Sequence, residues 1–500
     1  MASFYVENFG CRATQADGAA VERQFRERGL VRTNRASEAE VVVLNTCTVT
    51  ASADRDARAA IRRVRRENPS CQIVVTGCYA QRAPEEIAAL PGVSRVVGNS
   101  HKHRLAEIAL QQPGVGSENR NAAAFVPLSS LSISQRPTAC PEPNGEAADG
   151  QRTIYVSDIF AHTELLAAPV FDAANERTRP NLKVQDGCDN RCSFCVIPSV
   201  RGQSRSLPLR QILAEVNTLV AAGYREIVIS GINLGRWGRD LASEQLRFED
   251  LVRAILQDTA LEKLRISSVE PMDWSDELIQ LIGNSPRIAR HAHVPMQSGS
   301  DRVLRGMHRK YRPWHYREKI EKIRTAMPTA AIGADVMVGF PGETEHDFED
   351  TRRMVEELPF TYLHVFTYSL RPGTLAAAMR SQVPANQARR RNKVLRDLAG
   401  EKKLAFMRSF VGKTVEAITL SGFDGTHTRC LTDNYLQMCM QGRHEPNRWT
   451  HAVVEDVQRE ALIARRVSKN RLYPSNSASS RGLSTTTSGG AMLSVCGAKP

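Results

Sequence analysis

The chain has 500 residues, 41% hydrophobic and 24% charged, with a formal net charge of +13 and a pI of about 9.4. This composition is typical of a globular protein of two to four domains. The longest apolar runs, at residues 41–44 and 227–229, are strand-length, and the first residues lack the pattern of a signal peptide. We therefore expect a cytoplasmic protein with no membrane partner, whose basic excess favours polyanions such as nucleic acid.

The first hundred residues alternate between strand and helix patterns. Strands are predicted at residues 4–9, 40–45, 72–76 and 93–97, with helices at 15–28, 53–67 and 84–89. This alternation predicts an α/β fold, with a doubly wound parallel domain over residues 1–112. Residues 113–173 are rich in turn formers and are predicted to be a linker or insertion, with a short strand near 153–156.

A second alternation occupies the middle of the chain. Strands are predicted at residues 182–185, 226–230, 263–267, 291–295, 332–338 and 362–367. Helices are predicted between them, at 209–222, 248–257, 315–326 and 345–357. Six β/α units are too few to close an eight-fold barrel, so residues 174–404 are predicted to form a partial, open (β/α)6 barrel.

The pattern changes again after a basic helical stretch at residues 387–410. Strand patterns at 413–420, 428–440 and 449–467 predict a small antiparallel β-barrel over residues 405–467. Residues 468–500 are rich in Ser, Thr and Gly and are predicted to be disordered.

Three of the eleven cysteines lie in one short loop, as Cys188, Cys192 and Cys195. Three thiolates can hold one face of a 4Fe-4S cluster and leave one iron free for another ligand. Zinc would usually require a fourth cysteine or a histidine, and three purely structural cysteines are the remaining alternative. The loop follows the first strand of the six-unit region, at the strand end where such folds place their sites.

A second set, Cys11, Cys47 and Cys78, follows the first three predicted strands of the N-terminal domain. Carboxyl ends of parallel strands meet at one edge of a sheet, so these thiols are predicted to gather there. Glycines next to Cys11 and Cys78 let the backbone approach a bulky cluster, although an accidental gathering is the alternative. The other cysteines are interpreted as spectators: Cys71, Cys140, Cys430, Cys439 and Cys496.

Short motifs recur throughout residues 1 to about 465. They are 9–12 (FGCR), 44–50 (LNTCTVT), 76–78 (TGC), 97–99 (VGN), 183–198 (KVQDGCDNRCSFCVIP), 201–206 (RGQSRS), 267–271 (SSVEP), 295–301 (PMQSGSD) and 339–344 (GFPGET). These motifs resemble those of the radical S-adenosylmethionine (SAM) methylthiotransferases. The carboxyl-terminal segment 431–435 (LTDNY) resembles the RNA-binding barrel called TRAM. One departure is Ala13-Thr14, where the family usually has an apolar residue and Asn.

The resemblance implies two 4Fe-4S clusters and SAM as cofactors. The cluster on Cys188, Cys192 and Cys195 would bind SAM, whose reductive cleavage gives a deoxyadenosyl radical that takes hydrogen from an unactivated aromatic carbon. The second cluster, on the other three cysteines, would carry or donate the methylated sulfur. No catalytic residue beyond the cluster ligands is expected. The implied partners are tRNA and an electron donor such as flavodoxin or ferredoxin.

Within the family, residues 10–12 and 364–374 are most similar to the branch that methylthiolates carbon 2 of N6-threonylcarbamoyladenosine at position 37 of tRNA. The alternatives are isopentenyl-adenosine in tRNA and a ribosomal-protein side chain, and the net charge and the RNA-barrel resemblance argue against the protein substrate. A non-catalytic iron–sulfur carrier is a further alternative. It would not need six β/α units around the cysteine loop.

Several polar groups near predicted strand ends are candidates for binding SAM, although ordinary strand-end roles are the alternative for each. Phe194 could stack on adenine, and the backbone at Ser230 and Gly231 could bind the methionine part. The remaining candidates are Glu270, Gln297 and Asp335. Four arginines at helical spacing form a possible tRNA-binding face or an ordinary solvated one: Arg55, Arg58, Arg62 and Arg65.

Overall fold

A computed structural model describes residues 2–111, 153–162, 165, 179–241 and 245–467. Most of the predicted linker or insertion at 113–173, and the predicted disordered tail at 468–500, lie outside the described residues. Within the described part of the chain, no helix is both long and apolar enough to cross a membrane.

The N-terminal region is a six-stranded parallel sheet in the order β2-β1-β3-β4-β5-β6. Its strands are β1 (Ser3–Asn8), β2 (Val31–Arg32), β3 (Val41–Thr46), β4 (Gln72–Gly77), β5 (Val93–Val97) and β6 (Thr153–Tyr155). The helices are α1 (Arg12–Glu27), α2 (Ala51–Glu67), α3 (Cys78–Arg82), α4 (Pro84–Ala88) and α5 (Leu105–Leu110). Strand β6 lies within the segment predicted as a linker or insertion, at its predicted short strand, and pairs with β5.

Helices cover both faces of this sheet. The central strand β3 is buried at all six positions, and separate apolar clusters lie on its two sides. Helix α2 buries Ala57, Ile61 and Val64, the spacing of one helical stripe, against one face. Phe25 of α1 packs with Phe4 on the opposite face. The doubly wound architecture predicted from the sequence is confirmed.

The central region contains six parallel strands in two sheets of three, in the orders β11-β10-β7 and β12-β13-β14. A bridge between Leu264 and Ile288 lies between the sheets, which form a partial barrel as predicted. The six parallel strands are β7 (Asn181–Lys183), β10 (Glu226–Ser230), β11 (Lys263–Ile266), β12 (His291–His293), β13 (Ala331–Val338) and β14 (Tyr362–Thr367). Two short strands, β8 (Gln185–Asp186) and β9 (Arg205–Ser206), form a separate antiparallel pair. The helices are α6 (Ile197–Arg201), α7 (Leu209–Ala221), α8 (Phe248–Asp258), α9 (Asp276–Asn284), α10 (Asp301–Gly306), α11 (Pro313–Ala326), α12 (Glu345–Glu357) and α13 (Ala385–Arg408).

Five strands after α13 close a small barrel in the order β15-β16-β17-β19-β18. They are β15 (Thr414–Phe423), β16 (His427–Thr432), β17 (Gln437–Gln441), β18 (Trp449–Gln458) and β19 (Ala461–Arg466). Two predicted strands, 428–440 and 449–467, are each split by a turn, one at Tyr435 and one at Arg459–Glu460, where φ is positive. Four of the five strand pairings in this barrel are antiparallel, whereas β17 and β19 pair in parallel.

Five nearly fully buried charges join the N-terminal sheet to the central barrel. Asp17 of α1 bonds to Lys102 (3.1 Å), Arg201 (3.0 Å) and Lys183. Asp186 bonds to Lys183 and Arg201, both at 2.9 Å. Burial alone would raise the pKa of Asp17, but the three cations outweigh it and lower that pKa to about 2. The interface is therefore held by ion pairs that depend on each other.

We expect Asp17→Asn to lower the free energy of unfolding by about 3–5 kcal/mol, because it leaves buried Lys102 without a counter-ion among the described residues and leaves Lys183 and Arg201 to share Asp186. Since the pKa is lowered from 3.8 to about 2, the stabilisation by Asp17 is complete above pH 3.8 and is lost as the pH falls towards 2. Urea unfolding followed by circular dichroism measures the change.

The matched control is Asp276→Asn, since Asp276 makes an exposed ion pair with Lys322. This variant should leave the unfolding midpoint nearly unchanged. Equal midpoints for the two variants would contradict the role of the buried ion pairs.

Candidate metal and cofactor site

The loop between β8 and α6 presents Cys188, Cys192 and Cys195 at the carboxyl end of the barrel's first strands. Two thiols accept backbone N–H groups, Cys188 from Asn190 at 3.4 Å and Cys195 from Ile197 at 3.5 Å. Burial raises the pKa of Cys188 to about 11 and of Cys195 to about 12, so the thiolates need a positive charge such as bound iron to be stable.

Two side chains outside the loop donate to these sulfurs. Asn233 donates to Cys188 Sγ at 3.6 Å, and Arg309 Nη1 donates to Cys192 Sγ at 3.1 Å. Arg309 is 7% exposed and also pairs with Glu270, whose pKa is raised by burial. Sequence reasoning missed Arg309 and Asn233, because neither follows a motif that predicts contact with a loop so distant in the chain.

The N-terminal set lies at the ends of three adjacent strands, as the parallel order predicts. Gly10 and Gly77, with φ of +105° and +99°, turn the chain from β1 and β4 towards α1 and α3. Cys11 is the N-cap of α1, and Cys78 is the first residue of α3. A Cβ on Gly10 would lie 2.6 Å from Cys47 Cβ, so only glycine fits there. Burial, followed by the charge of Cys78, raises the pKa of Cys47 to about 12. The structure therefore brings these three thiols together.

The charges behind this second set favour an anionic occupant. Lys102, Lys183 and Arg201 outnumber Asp17 and Asp186, which leaves one positive charge in excess within the buried ion pairs. Burial alone would lower the pKa of Arg201, but the charges of Asp186, Cys78, Asp17 and Cys11 outweigh it and hold that pKa above its usual value. A cluster carrying thiolates fits beside this excess charge.

Neither cysteine set has the spacing of a single-ion site. Among the described residues, only His293, Asp335 and His364 place three such ligand atoms within 4.8 Å of one another. Tetrahedral zinc with bonds of about 2.3 Å needs its sulfurs about 4 Å apart. In each cysteine set, at least one pair of sulfur atoms is therefore farther apart than 4.8 Å.

The candidate SAM contacts lie around the carboxyl ends of the barrel strands. Ser230 Oγ and Gln297 Oε1 are buried and have no hydrogen-bond partner among the described residues. A Cβ on Gly231 would lie 2.8 Å from Gln185 Oε1, so this backbone is closely approached. Asp335 faces His293 at 3.5 Å. Phe194 packs instead against an apolar cluster that includes Met307 and Phe340, and binding of SAM by these residues stays a prediction.

The arginine face of α2 is only partly free. Arg58 bonds to Glu86 and Tyr79, at 2.9 and 2.7 Å, whereas Arg55 and Arg62 are exposed. Three spectator cysteines, Cys71, Cys430 and Cys439, lie away from both sets, and Cys140 and Cys496 lie outside the described residues.

Comparisons with known proteins define the class. The model described as Radical SAM superfamily matches residues 182–355, and the one described as Uncharacterized protein family UPF0004 matches residues 3–98. The radical SAM methyltransferase TsrM from Kitasatospora setae aligns with a TM-score of 0.53 and 15% identity over 75% of each chain, which is a likeness of fold. With the cysteine loop, these matches define a radical SAM enzyme.

Two curated relatives narrow the class to a family. Threonylcarbamoyladenosine tRNA methylthiotransferase MtaB of Bacillus subtilis is 35% identical over 452 residues, 89% of this chain and 92% of its own. The tRNA-2-methylthio-N(6)-dimethylallyladenosine synthase of Endomicrobium trichonymphae is 30% identical over 446 residues, 89% of this chain and 94% of its own. The chain belongs to the radical SAM tRNA methylthiotransferase family, which confirms the resemblance of its motifs.

Membership of this family makes the protein a transferase that uses SAM and a 4Fe-4S cluster. The loop of Cys188, Cys192 and Cys195 suits that cluster, because its thiols receive N–H donors that stabilise negative sulfur.

We expect Cys188→Ala/Cys192→Ala/Cys195→Ala to abolish SAM cleavage and to remove about four irons per chain. Deoxyadenosine released under dithionite, and iron content after anaerobic reconstitution, are the two measurements. The control removes three other thiols, as Cys71→Ala/Cys430→Ala/Cys439→Ala, and should retain both. Deoxyadenosine from the first variant would disprove this assignment.

Proposed function

We propose that the protein methylthiolates carbon 2 of N6-threonylcarbamoyladenosine at position 37 of tRNA, using a second 4Fe-4S cluster on Cys11, Cys47 and Cys78. One observation carries the proposal. Asn99 Nδ2 donates both to Cys78 Sγ at 3.6 Å and to the carbonyl of Val200 at 2.7 Å, in the helix that follows the SAM-cluster loop. One side chain therefore connects the two cysteine-bearing regions, which supports a substrate site between them.

The chain's own residues orient and shield this junction. SAM with a reduced cluster supplies the one-electron chemistry for an aromatic C–H that acid–base groups cannot activate. Arg371 bonds to Asp54 at 2.9 Å and to the carbonyl of Thr48 at 3.0 Å, which fixes the loop after β14 beside Cys47. Reduction is expected to come from a donor such as flavodoxin or ferredoxin.

The C-terminal barrel offers a surface suited to RNA. Phe423 is 39% exposed, and Arg443 lies 5.8 Å from its ring centre. Arg429 is exposed nearby, with its side chain against Gly422. An exposed aromatic ring with two arginines can stack on an unpaired base and bind phosphates. This patch of Phe423, Arg429 and Arg443 supports a tRNA substrate over a protein substrate. A tRNA substrate in turn supports the expected cytoplasmic location.

The relative named as a dimethylallyladenosine synthase makes isopentenyl-adenosine the second candidate substrate. We favour the threonylcarbamoyl group because the MtaB relative is the more similar of the two, at 35% against 30% identity. The similarity at residues 10–12 and 364–374 points to the same branch.

Reconstituted protein, given SAM and dithionite, should convert threonylcarbamoyladenosine in tRNA to its 2-methylthio derivative. The Cys11→Ala/Cys47→Ala/Cys78→Ala variant should keep deoxyadenosine formation, lose about four irons and make no methylthio product, because only the sulfur-bearing site is removed. Mass spectrometry of digested tRNA measures the product.

Parallel reactions with isopentenyl-adenosine tRNA and with ribosomal protein identify the alternatives. Product from either one alone would reassign the substrate. Unchanged iron in a folded triple variant would refute the second cluster.

The double variant Arg429→Ala/Arg443→Ala should weaken tRNA binding. The slope of log K plotted against log salt concentration should become shallower by about two, because each lost phosphate contact reduces it by about one. The measurement is filter binding of tRNA at several salt concentrations.

The control is Arg448→Ala/Arg465→Ala, which removes the same charge from arginines already paired with Glu445 and Glu455. A salt slope that both variants change equally would mean that net charge, and not the patch, binds the RNA.

A further inference from the structure

Arg12 lies next to a proposed cluster ligand and has no acidic partner among the described residues. It follows Cys11 and begins helix α1, whose first turn contains no acidic residue. Its guanidinium is half-buried and donates to Tyr435 Oη at 3.2 Å. Other arginines in this part of the molecule are paired, since Arg265 and Arg179 both contact Glu226. Arg12 therefore holds a positive charge available to a ligand.

Tyr435 reaches Arg12 from the opposite end of the chain. Its φ of +69° is unusual for a residue with a side chain, and it turns the ring out of the β16–β17 hairpin. The ring packs 4.9 Å from His291 and 6.2 Å from Tyr362. Its oxygen accepts from Arg12, so its O–H remains free to donate to another group.

Arg12 and Tyr435 meet at the lateral opening of the partial barrel. Asn181, on the edge strand β7, donates to the Arg12 carbonyl, and Tyr362 lies on the opposite edge strand β14. A guanidinium and a phenol O–H at one opening form the donor pair that a carboxylate accepts. Lys263 and Arg265 fix the small barrel here, through Glu416 and the Thr432 carbonyl.

The proposed substrate carries a carboxylate on its N6 substituent, and the geometry of adenine relates that substituent to Arg12. In adenine, C2 and the N6 substituent flank N1 on one edge of the base. A base whose C2 is directed at the proposed cluster on Cys11 presents its N6 substituent on the same edge, and Arg12 is the next residue in the chain. The threonylcarbamoyl group ends in a carboxylate, whereas the isopentenyl group has neither charge nor acceptor.

We infer that Arg12, with Tyr435, binds the carboxylate of the threonylcarbamoyl group and selects this substrate over neutral N6 substituents. The inference rests on the proposed function and adds the residues that discriminate. Arg12 is a specificity-determining residue, and Tyr435 makes the C-terminal barrel part of the substrate pocket.

The test compares anticodon stem-loops that carry threonylcarbamoyladenosine as the free acid or as its methyl ester. Wild-type protein should prefer the acid about 10- to 100-fold in kcat/KM, as a charged hydrogen bond is worth. Arg12→Gln should reduce this ratio to about one, and Arg12→Lys should restore part of it. Tyr435→Phe, which keeps the ring, should lower the ratio about 3- to 10-fold.

Arg26→Gln, at the other end of α1, is the matched control and should keep the wild-type ratio. Iron content and the KM for SAM are measured for every variant. If Arg12→Gln loses iron, the inference is tested on Tyr435→Phe instead. A preference for the acid over the ester in Tyr435→Phe that equals the wild-type preference would then overturn the inference.

A wild-type ratio in iron-replete Arg12→Gln also overturns it, and so does a defect confined to the KM for SAM, which would assign Arg12 to the SAM carboxylate. Wild-type protein inactive on both stem-loops would refute the proposed function itself, an outcome distinct from an unchanged ratio in an active enzyme.

Discussion

The buried ion pairs between Asp17, Lys102, Lys183, Asp186 and Arg201 are the constraint on which the rest of the structure depends. Charges removed from water are costly unless each is paired, so this interface tolerates one arrangement of the N-terminal sheet against the central barrel. That arrangement sets both cysteine groups at the ends of parallel strands. Ion pairs, unlike apolar contacts, fix the relative position of the two elements, and so they also fix the separation between the two cysteine sets.

The junction also explains why three domains are needed. The N-terminal sheet provides one set of thiols, the partial barrel provides the other, and the small barrel closes the lateral opening with Tyr435. A base in a folded tRNA loop must leave its stack to enter such an opening. Tyr362, which is half-buried at the edge of this opening, is an aromatic ring on which an extruded base could stack.

Much of this architecture could be predicted from the sequence. Alternating strand and helix patterns identify β3 and β10 closely because buried parallel strands contain continuous apolar runs. Parallel order alone places Cys11, Cys47 and Cys78 at one edge. Side chains that act across domains could not be predicted. Arg309 meets Cys192 across 117 residues, and Arg12 meets Tyr435 across 423, distances at which no periodicity carries information. The turn at Tyr435 could not be predicted either, because the residue with positive φ is not a glycine.

The contact between Arg12 and Tyr435 has a consequence for biosynthesis. A ribosome releases the amino end first, and domains fold as units in that order. Both cysteine sets lie within the first 195 residues of the chain, so all six proposed ligands emerge long before the small barrel is made. Under the proposed function, a nascent chain would present its cluster ligands before Tyr435 completes the proposed substrate pocket. Cofactor loading would then precede substrate binding in time.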